Sequence, residues 1–399
     1  MVWPEKVSPE EEKVIEELKK RIRGNLPPKL LEDESLFYRF CKARDFKLEE
    51  SEAMLRKHIE WRKEWQIDTI LTDFKPLEVC KYTPTSFVGF DKEGSLIRYF
   101  DMGNPDNKGM FNSIKKTEFL KYCFYMGEQD AERCKQHSLK IGKPVTQAVH
   151  ICNFENLSFF QATHKKTLET TLVYMKMFQD NYPERMKRIY HINASIYHNV
   201  LMSVIKTVMA TPLLQKIQCF GQDGWKEALL RDIDADVLPA FLGGNRTDPD
   251  GNPLCKTFIT HGEKIPESYY LCNYEKTIFQ APGARTLTIA RRSKEEVSFK
   301  VREPDSYLEG EFELKEWDKD IKFAVLFTEK SSEESKPVEI VEKKRVDTCF
   351  GPEKVSIHCR KIGTYILLFD NTYSWMHPKE LAFRARVRSP GVDENRKWT

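Results

Sequence analysis

No stretch of this sequence is long and apolar enough to cross a bilayer, which takes roughly 20 predominantly apolar residues. The run His191 to Ile205 near the middle, free of Asp, Glu, Lys and Arg, still contains His, Asn and Ser. The opening MVWPEKVSPEEEK is acidic and has no apolar centre, so no secretory leader is expected. None of the ten cysteines sits in a CxxC pair, and the nine histidines show no ligand spacing. Free buried thiols in a reducing compartment and no bound metal are therefore expected. Glycine (18) and proline (20) are too scarce for a collagen or a low-complexity chain. Neither charge sign dominates: 64 basic against 61 acidic residues leave +3, which is no polycation built for nucleic acid. The phosphate-cradling GxxxxGK[ST], a GxGxxG after a strand, HExxH and GxSxG are all missing. Their absence points to binding rather than catalysis, with no cofactor.

What is present is a chain of 399 residues with three kinds of patterning. The first ~75 residues read as helices. Ser8-Pro9-Glu10-Glu11 has the form of a capping box with Pro at the first helical position. Asp33-Glu34-Ser35 opens a second helix, and Leu48, Leu55 and Ile59 mark a third. From about 80 to 245, strand and helix signals alternate, as in α/β architecture. Strands are expected at Ser95–Phe100, Val145–Phe154 and Arg188–Ile192, with helices at Leu168–Phe178 and Ala194–Ala210. Beyond ~275 the apolar period becomes two, as at Val297, Phe299, Val301 and at Ile321, Phe323, Val325, Phe327. That pattern suits an antiparallel sandwich. Three domains follow: 1–75 helical, 76–250 α/β, 275–390 all-β.

The segment Ala194–Ala210 is unlike a surface helix. At 100° per residue its apolar arc covers about two-thirds of the circumference, where a surface helix shows a stripe of little more than 100°. Asn199, Ser203, Lys206 and Thr207 form the only polar ridge. Pro212 is expected to end this helix and to push Thr211 out of the helical region. A helix buried between core layers and a lid over an apolar cavity both fit. His191 and His198 lie seven apart, but one falls on a strand and one on a helix, so they read as structural histidines rather than ligands.

Several segments in fixed order carry a resemblance. They are Leu36–Phe46 (LFYRFCKARDF), Met54–His58, Asn181–Arg185 (NYPER), Asn193-Ala194, Leu238-Pro239 with Gly243-Gly244, Asp248–Pro253 (DPDGNP), and the late Gly363–Tyr365 and Phe369–Ser374. Together the chain resembles CRAL-TRIO lipid-binding proteins that also carry a C-terminal GOLD domain, the group of supernatant protein factor, related to the yeast phosphatidylinositol transfer protein. Two stretches depart from the family pattern. Cys152–Asn156 (CNFEN) lacks the usual acidic residue, which implies one charge fewer near the cavity floor. Lys206–Met209 (KTVM) replaces the usual end of the gate helix.

The resemblance implies an N-terminal helical bundle, an α/β lipid-binding domain and an all-β GOLD-type jelly roll. It implies a non-enzymatic carrier of one hydrophobic lipid (phospholipid, isoprenoid, tocopherol or retinoid), exchanged at membranes through a gate helix. A retinoid shuttle and a GOLD-mediated membrane-traffic adaptor are the alternatives. Family members that bind phosphoinositides use an Arg, a Glu and a Lys around the headgroup, here matched by Arg44, Glu184 and Lys206. Ile196, Val200, Leu201, Val204, Ile205 and Val208 would form the gate helix and cavity wall. The expected partners are a lipid, a transient membrane surface and a protein met through the GOLD domain. The expected location is cytoplasmic with transient membrane contact.

Overall fold

The computed structural model describes residues 7–271, 277–316, 319–329, 337–348, 351–374 and 377–391. The chain divides into two compact units, one ending at Tyr269 and one starting at Tyr270.

The first unit opens with helices α1 (Pro9–Ile22), α2 (Pro28–Leu31), α3 (Leu36–Lys42), α4 (Leu48–Trp65) and α5 (Ile70–Asp73). The expected capping box starts α1: Ser8 Oγ accepts from the Glu11 amide at 3.2 Å, and Glu11 Oε2 accepts from the Ser8 amide at 2.7 Å. Two orphan donors of the first turn are thereby satisfied. Ile15, Leu18 and Ile22 then pack against Leu36, Phe37, Phe40 and Leu55.

Next come β1 (Thr85–Phe90), β2 (Leu96–Asp101), α6 (Asn107–Ser113), α7 (Lys116–Ile141), β3 (Ala148–Asn153), α8 (Phe159–Ala162) and α9 (Lys165–Asn181). They are followed by β4 (Met186–Ile192), α10 (Ile196–Ile205), α11 (Thr211–Leu214), β5 (Ile217–Cys219) and α12 (Trp225–Asp232). One sheet runs β1-β2-β3-β4-β5; β1 is antiparallel to β2 and the remaining pairs are parallel. Strand alternation gives the sheet two unlike faces. Ile97, Tyr99, Val149, Ile151, Tyr190 and Ile192 point into a dense core with Trp225, Leu229 and Leu238. Arg98, Phe100, Ala148 and His150 point the other way, toward α7 and α9.

The second unit holds two four-stranded antiparallel sheets. Its strands are β6 (Arg285–Ile289), β7 (Lys294–Val301), β8 (Ser306–Leu314), β9 (Asp320–Glu329), β10 (Val338–Asp347), β11 (Glu353–Cys359), β12 (Gly363–Asp370) and β13 (Lys379–Arg388). The orders are β10-β9-β12-β7 and β11-β8-β13-β6, and both sheets supply side chains to one core, including Phe312, Phe323, Phe369 and Phe383. Helical start, α/β centre and antiparallel end thus match the expected fold classes. The basic run Lys343-Lys344-Arg345 is neutralised within this unit by Asp370, Glu353 and Asp320, at 3.0, 3.3 and 2.6 Å.

Two local expectations fail. The helix expected over Ala194–Ala210 stops at Ile205. Pro212 does not end it but lies in the first turn of α11, with Thr211 as that helix's first residue. A proline there forgoes only an amide that has no helical acceptor.

Candidate functional site

The interior between the sheet and helices α7 and α9 is where the packing loosens. A cavity of ≈ 90 Å³ lies there, walled by Phe100 and His150 of the sheet, Cys123 and Met126 of α7, and Tyr174 and Phe178 of α9. Cys123, His150, Cys152 and Tyr174 lie within the protein, yet part of the surface of each is left uncovered. Leu168 and Met175 of α9 are likewise only partly covered. Close-packed interiors leave few such gaps. At roughly 30 Å³ per water the cavity holds about three waters, not a lipid chain.

The wall carries charge, but the charge is spent internally. Arg98 donates from Nε and Nη2 to the two carboxylate oxygens of Asp130, at 2.5 and 2.7 Å. His150 is kept neutral by burial and by Arg98, its pKa pushed down to about 4. Burial raises the Tyr174 phenol.

Helix α10 is amphipathic in an unusual way. Leu201, Met202 and Ile205 pack against Phe154, Leu157 and Ala162, so this inner face meets side chains. None of the residues walling the ≈ 90 Å³ cavity comes from α10. Ile196 is 73% exposed, Val200, Val204 and Val208 are partly so, and Asn199, Ser203, Lys206 and Thr207 form an exposed polar ridge. Phe159 and Phe160 on the neighbouring α8 are 58% and 67% exposed. The Phe159 ring lies 6.3 Å from that of Tyr197, so α8 and α10 share one apolar surface. Ser158 and Gln161 form the capping box that presents the two phenylalanines. Sequence patterning did not single out this pair.

The expected headgroup residues are distributed as follows. Glu184 has a left-handed backbone (φ 58°), a conformation that costs a non-glycine residue about 1 kcal/mol or more. Its Oε2 lies 3.2 Å from Lys216 Nζ and 4.0 Å from Lys42 Nζ. Arg44, in the turn after α3, donates to its neighbour's carbonyl, Ala43 O, at 2.8 Å. Lys206 caps α10 on the exposed ridge and makes no ion pair among the described residues. The structure therefore brings Lys216 and Lys42, rather than Lys206, to Glu184. Lys216 stands one residue before β5, whose register beside β4 carries it next to Glu184. That register is not readable from spacing alone.

Asn153, the departure expected to change the cavity floor, lies on the opposite face. It bonds Tyr99 Oη at 3.3 Å, the Glu155 amide at 3.1 Å and Asn193 at 2.8 Å, tying together the ends of β3 and β4. The cavity-face neighbour is Cys152.

A second void, ≈ 560 Å³ and open at the surface, separates the N-terminal helices from α7. Two carboxylates, the half-buried Asp33 and the buried Glu128, organise its floor. Asp33 takes Arg39 at 2.5 Å and Arg185 at 2.9 Å. Burial alone would raise its pKa, but the two guanidinium groups overcome that and hold it well below the usual range. Glu128 takes Arg62 at 3.2 Å, Lys29 at 3.3 Å and the Tyr182 hydroxyl at 3.0 Å. The two voids share Ala131, Thr146, Tyr182 and Arg185 as a common wall. Among the described residues no group of three His, Cys, Asp or Glu could hold a metal, and no helix is long and apolar enough to cross a membrane.

The chain is 24% identical over 355 residues to Protein ctg-1 of Caenorhabditis elegans, covering 88% of this chain and 90% of that one. It is 28% identical over 268 residues to Protein real-time of Aedes aegypti and 29% over 243 residues to that of Anopheles gambiae. Those two matches cover 66% and 60% of this chain but 40% and 35% of the relatives, so the chain spans less than half of their length. The crystal structure of Sfh5 superposes with a TM-score of 0.51 at 18% identity, over 70% of this chain and 100% of that one, which is a likeness of fold. The stretch that contains the cavity, residues 81–244, matches the CRAL/TRIO domain family.

Proposed function

We propose that this protein is a non-enzymatic carrier that holds one hydrophobic lipid between the central sheet and helices α7, α9 and α10, and exchanges it at membranes. The observation that carries the reading is the loosely filled interior beside His150 and Cys152, where a cavity remains and the side chains are only partly covered. A lipid needs more than ≈ 90 Å³, so loading displaces α10 outward. As Leu201, Met202 and Ile205 draw away from Phe154 and Leu157, the guest's hydrocarbon takes the place of those apolar neighbours. Each CH₂ enclosed contributes about 0.8 kcal/mol. The exposed surface of Phe159, Phe160, Ile196 and Tyr197 gives that movement a membrane to meet.

Arg44, Lys42, Glu184 and Lys216 are the residues proposed for an inositol phosphate headgroup. Arg and Lys would meet phosphate oxygens, and Glu would accept from hydroxyls. Phospholipid, isoprenoid, tocopherol and retinoid ligands all remain within this reading, including a retinoid shuttle. The two-sheet C-terminal unit is read as a GOLD-type domain that meets a protein partner. A cytoplasmic protein with transient membrane contact follows from the same reading.

The test is to incubate the purified full chain with a lipid extract, re-purify it, and identify what co-purifies by mass spectrometry. A stoichiometric lipid is expected. A chain that comes back empty of lipid from every extract overturns the carrier.

A further inference from the structure

The inner cavity has an inventory of polar groups that can be completed. Three charged side chains reach its wall, and each is already engaged. Arg98 and Asp130 hold each other through two hydrogen bonds. Arg185 donates to Thr146 O at 3.2 Å and to Asp33 at 2.9 Å. Tyr182 donates to Glu128, and Gln147 to Glu184 O at 3.2 Å. Three polar side chains are left over: Thr146, which also lines the outer cleft, and His150 and Tyr174, which do not. His150 and Tyr174 both wall the cavity, both lie beside the Arg98–Asp130 pair, and neither has a hydrogen-bond partner among the described residues.

We infer that the deep end of the cavity receives a hydrocarbon chain ending in one uncharged oxygen group, a hydroxyl or a carbonyl, hydrogen-bonded by His150 and Tyr174. This rests on the carrier reading and narrows it. A neutral imidazole donates from one nitrogen and accepts at the other, and a phenol donates its proton; together they satisfy one alcohol or carbonyl oxygen. A carboxylate or phosphate would arrive there with no free cation to pair it, since Arg98 is committed to Asp130. An ammonium group would find no free carboxylate. A plain hydrocarbon would leave two buried polar groups without partners, the arrangement that makes a hydroxyl-reading site reject the analogue lacking the hydroxyl. Size agrees: ≈ 90 Å³ admits the end of a chain, not an inositol phosphate. The rest of the chain would run past Cys152 toward Leu168 and Met175, the partly covered residues on the way to α10.

The experiment uses the full chain and four probes: geranylgeraniol, the corresponding carboxylic acid, squalene, and phosphatidylinositol in phosphatidylcholine vesicles. Wild-type protein is expected to bind the alcohol at least tenfold more tightly than the acid and squalene. Y174F and H150F are each expected to weaken alcohol binding by about tenfold, the worth of one hydrogen bond, while leaving squalene binding within twofold. Thermal melting reports whether each variant folds, and if neither does the wild-type ranking decides alone. Alcohol binding no better than acid binding, or unchanged in both folded variants, overturns the inference. Phosphatidylinositol loading without alcohol loading overturns it too, while leaving the carrier intact. Failure of all four probes overturns the inference, and a chain that also returns empty from the lipid extract overturns the carrier with it.

Discussion

His191 Nδ1 and His198 Nε2 lie 2.9 Å apart, a buried hydrogen bond that ties the first turn of α10 to the last residues of β4. Phe154 stands edge-on to both rings, with centroids at 5.0 and 4.6 Å. His198 Nδ1 has no partner among the described residues. Burial holds both imidazoles neutral: His191 is pushed down to about 3, also by His198, and His198 is lowered despite Asn199, with Lys206 adding to the depression.

This pair makes stability acid-sensitive. The folded values lie below the unfolded value of about 6.5, so below pH 6.5 the unfolded chain binds protons that the native chain refuses. Stability is complete above that pH and falls as pH drops toward 3. His58, also lowered to about 3 by burial and Arg62, adds to the loss. Each such histidine contributes about 1.4 kcal/mol per pH unit. Urea midpoints at pH 7.5 and 5.0 should therefore differ clearly, and H191F/H198L should narrow the difference. Equal midpoints would show that the imidazoles titrate normally.

Asp33 carries a different prediction. Arg39→Ala leaves the half-buried Asp33 carboxylate with Arg185 as its remaining ion pair among the described residues, beside the Ser35 amide and hydroxyl, and removes the donors to Pro183 O and Ser35 Oγ. Breaking a buried pair costs about 3 to 5 kcal/mol, read as a lowered urea midpoint at pH 7. The exposed Glu32–Lys135 pair spans the same cleft at 2.7 Å. Glu32→Gln should leave the midpoint unchanged, because surface pairs contribute little.

Membrane contact is tested at Ile196 and Phe160. Both are largely exposed, so I196D and F160D should melt within a few degrees of wild type. Co-sedimentation with vesicles should fall several-fold in each and further in the double variant. V204D, at a partly buried position, should both melt earlier and transfer lipid more slowly. Undiminished vesicle binding by the double variant would remove α8 and α10 from the membrane-facing role.

The headgroup proposal separates two lysines. K216A, E184Q and R44A should each reduce loading of phosphatidylinositol from vesicles by severalfold. K206A should reduce general vesicle association without changing which lipid is loaded. A larger loss of selectivity in K206A than in K216A would reverse the assignment.

The order of layers was legible because period carries it: 3.6 in α1, near-continuous apolar runs in β3, two in β7 and β9. The Ser8–Glu11 cap was legible because its whole chemistry lies within four residues. What escaped was set by register between distant segments. Lys216 meets Glu184 only because β5 pairs with β4. His150 and Tyr174 line one cavity only because β3 and α9 wall the same space. His191 and His198 were correctly placed on a strand and a helix, yet nothing in a spacing of seven announces that a turn at Asn193, in a left-handed conformation, folds one back onto the other. Phe159-Phe160 reads as core in any hydropathy profile, and only the fold exposes it.

The partition formed by Tyr182, Arg185, Ala131 and Thr146 has a hydraulic consequence. A guest leaving the inner void must be replaced by something or the walls must fall in. The outer cleft brings bulk water to within one aromatic ring of that void. Tyr182, whose hydroxyl donates to Glu128 and whose ring packs on Trp61, Phe124 and Phe178, is the aromatic member of that partition. On the carrier reading, emptying the interior would need no suction against a sealed chamber, because the water of the outer cleft stands behind that shared partition.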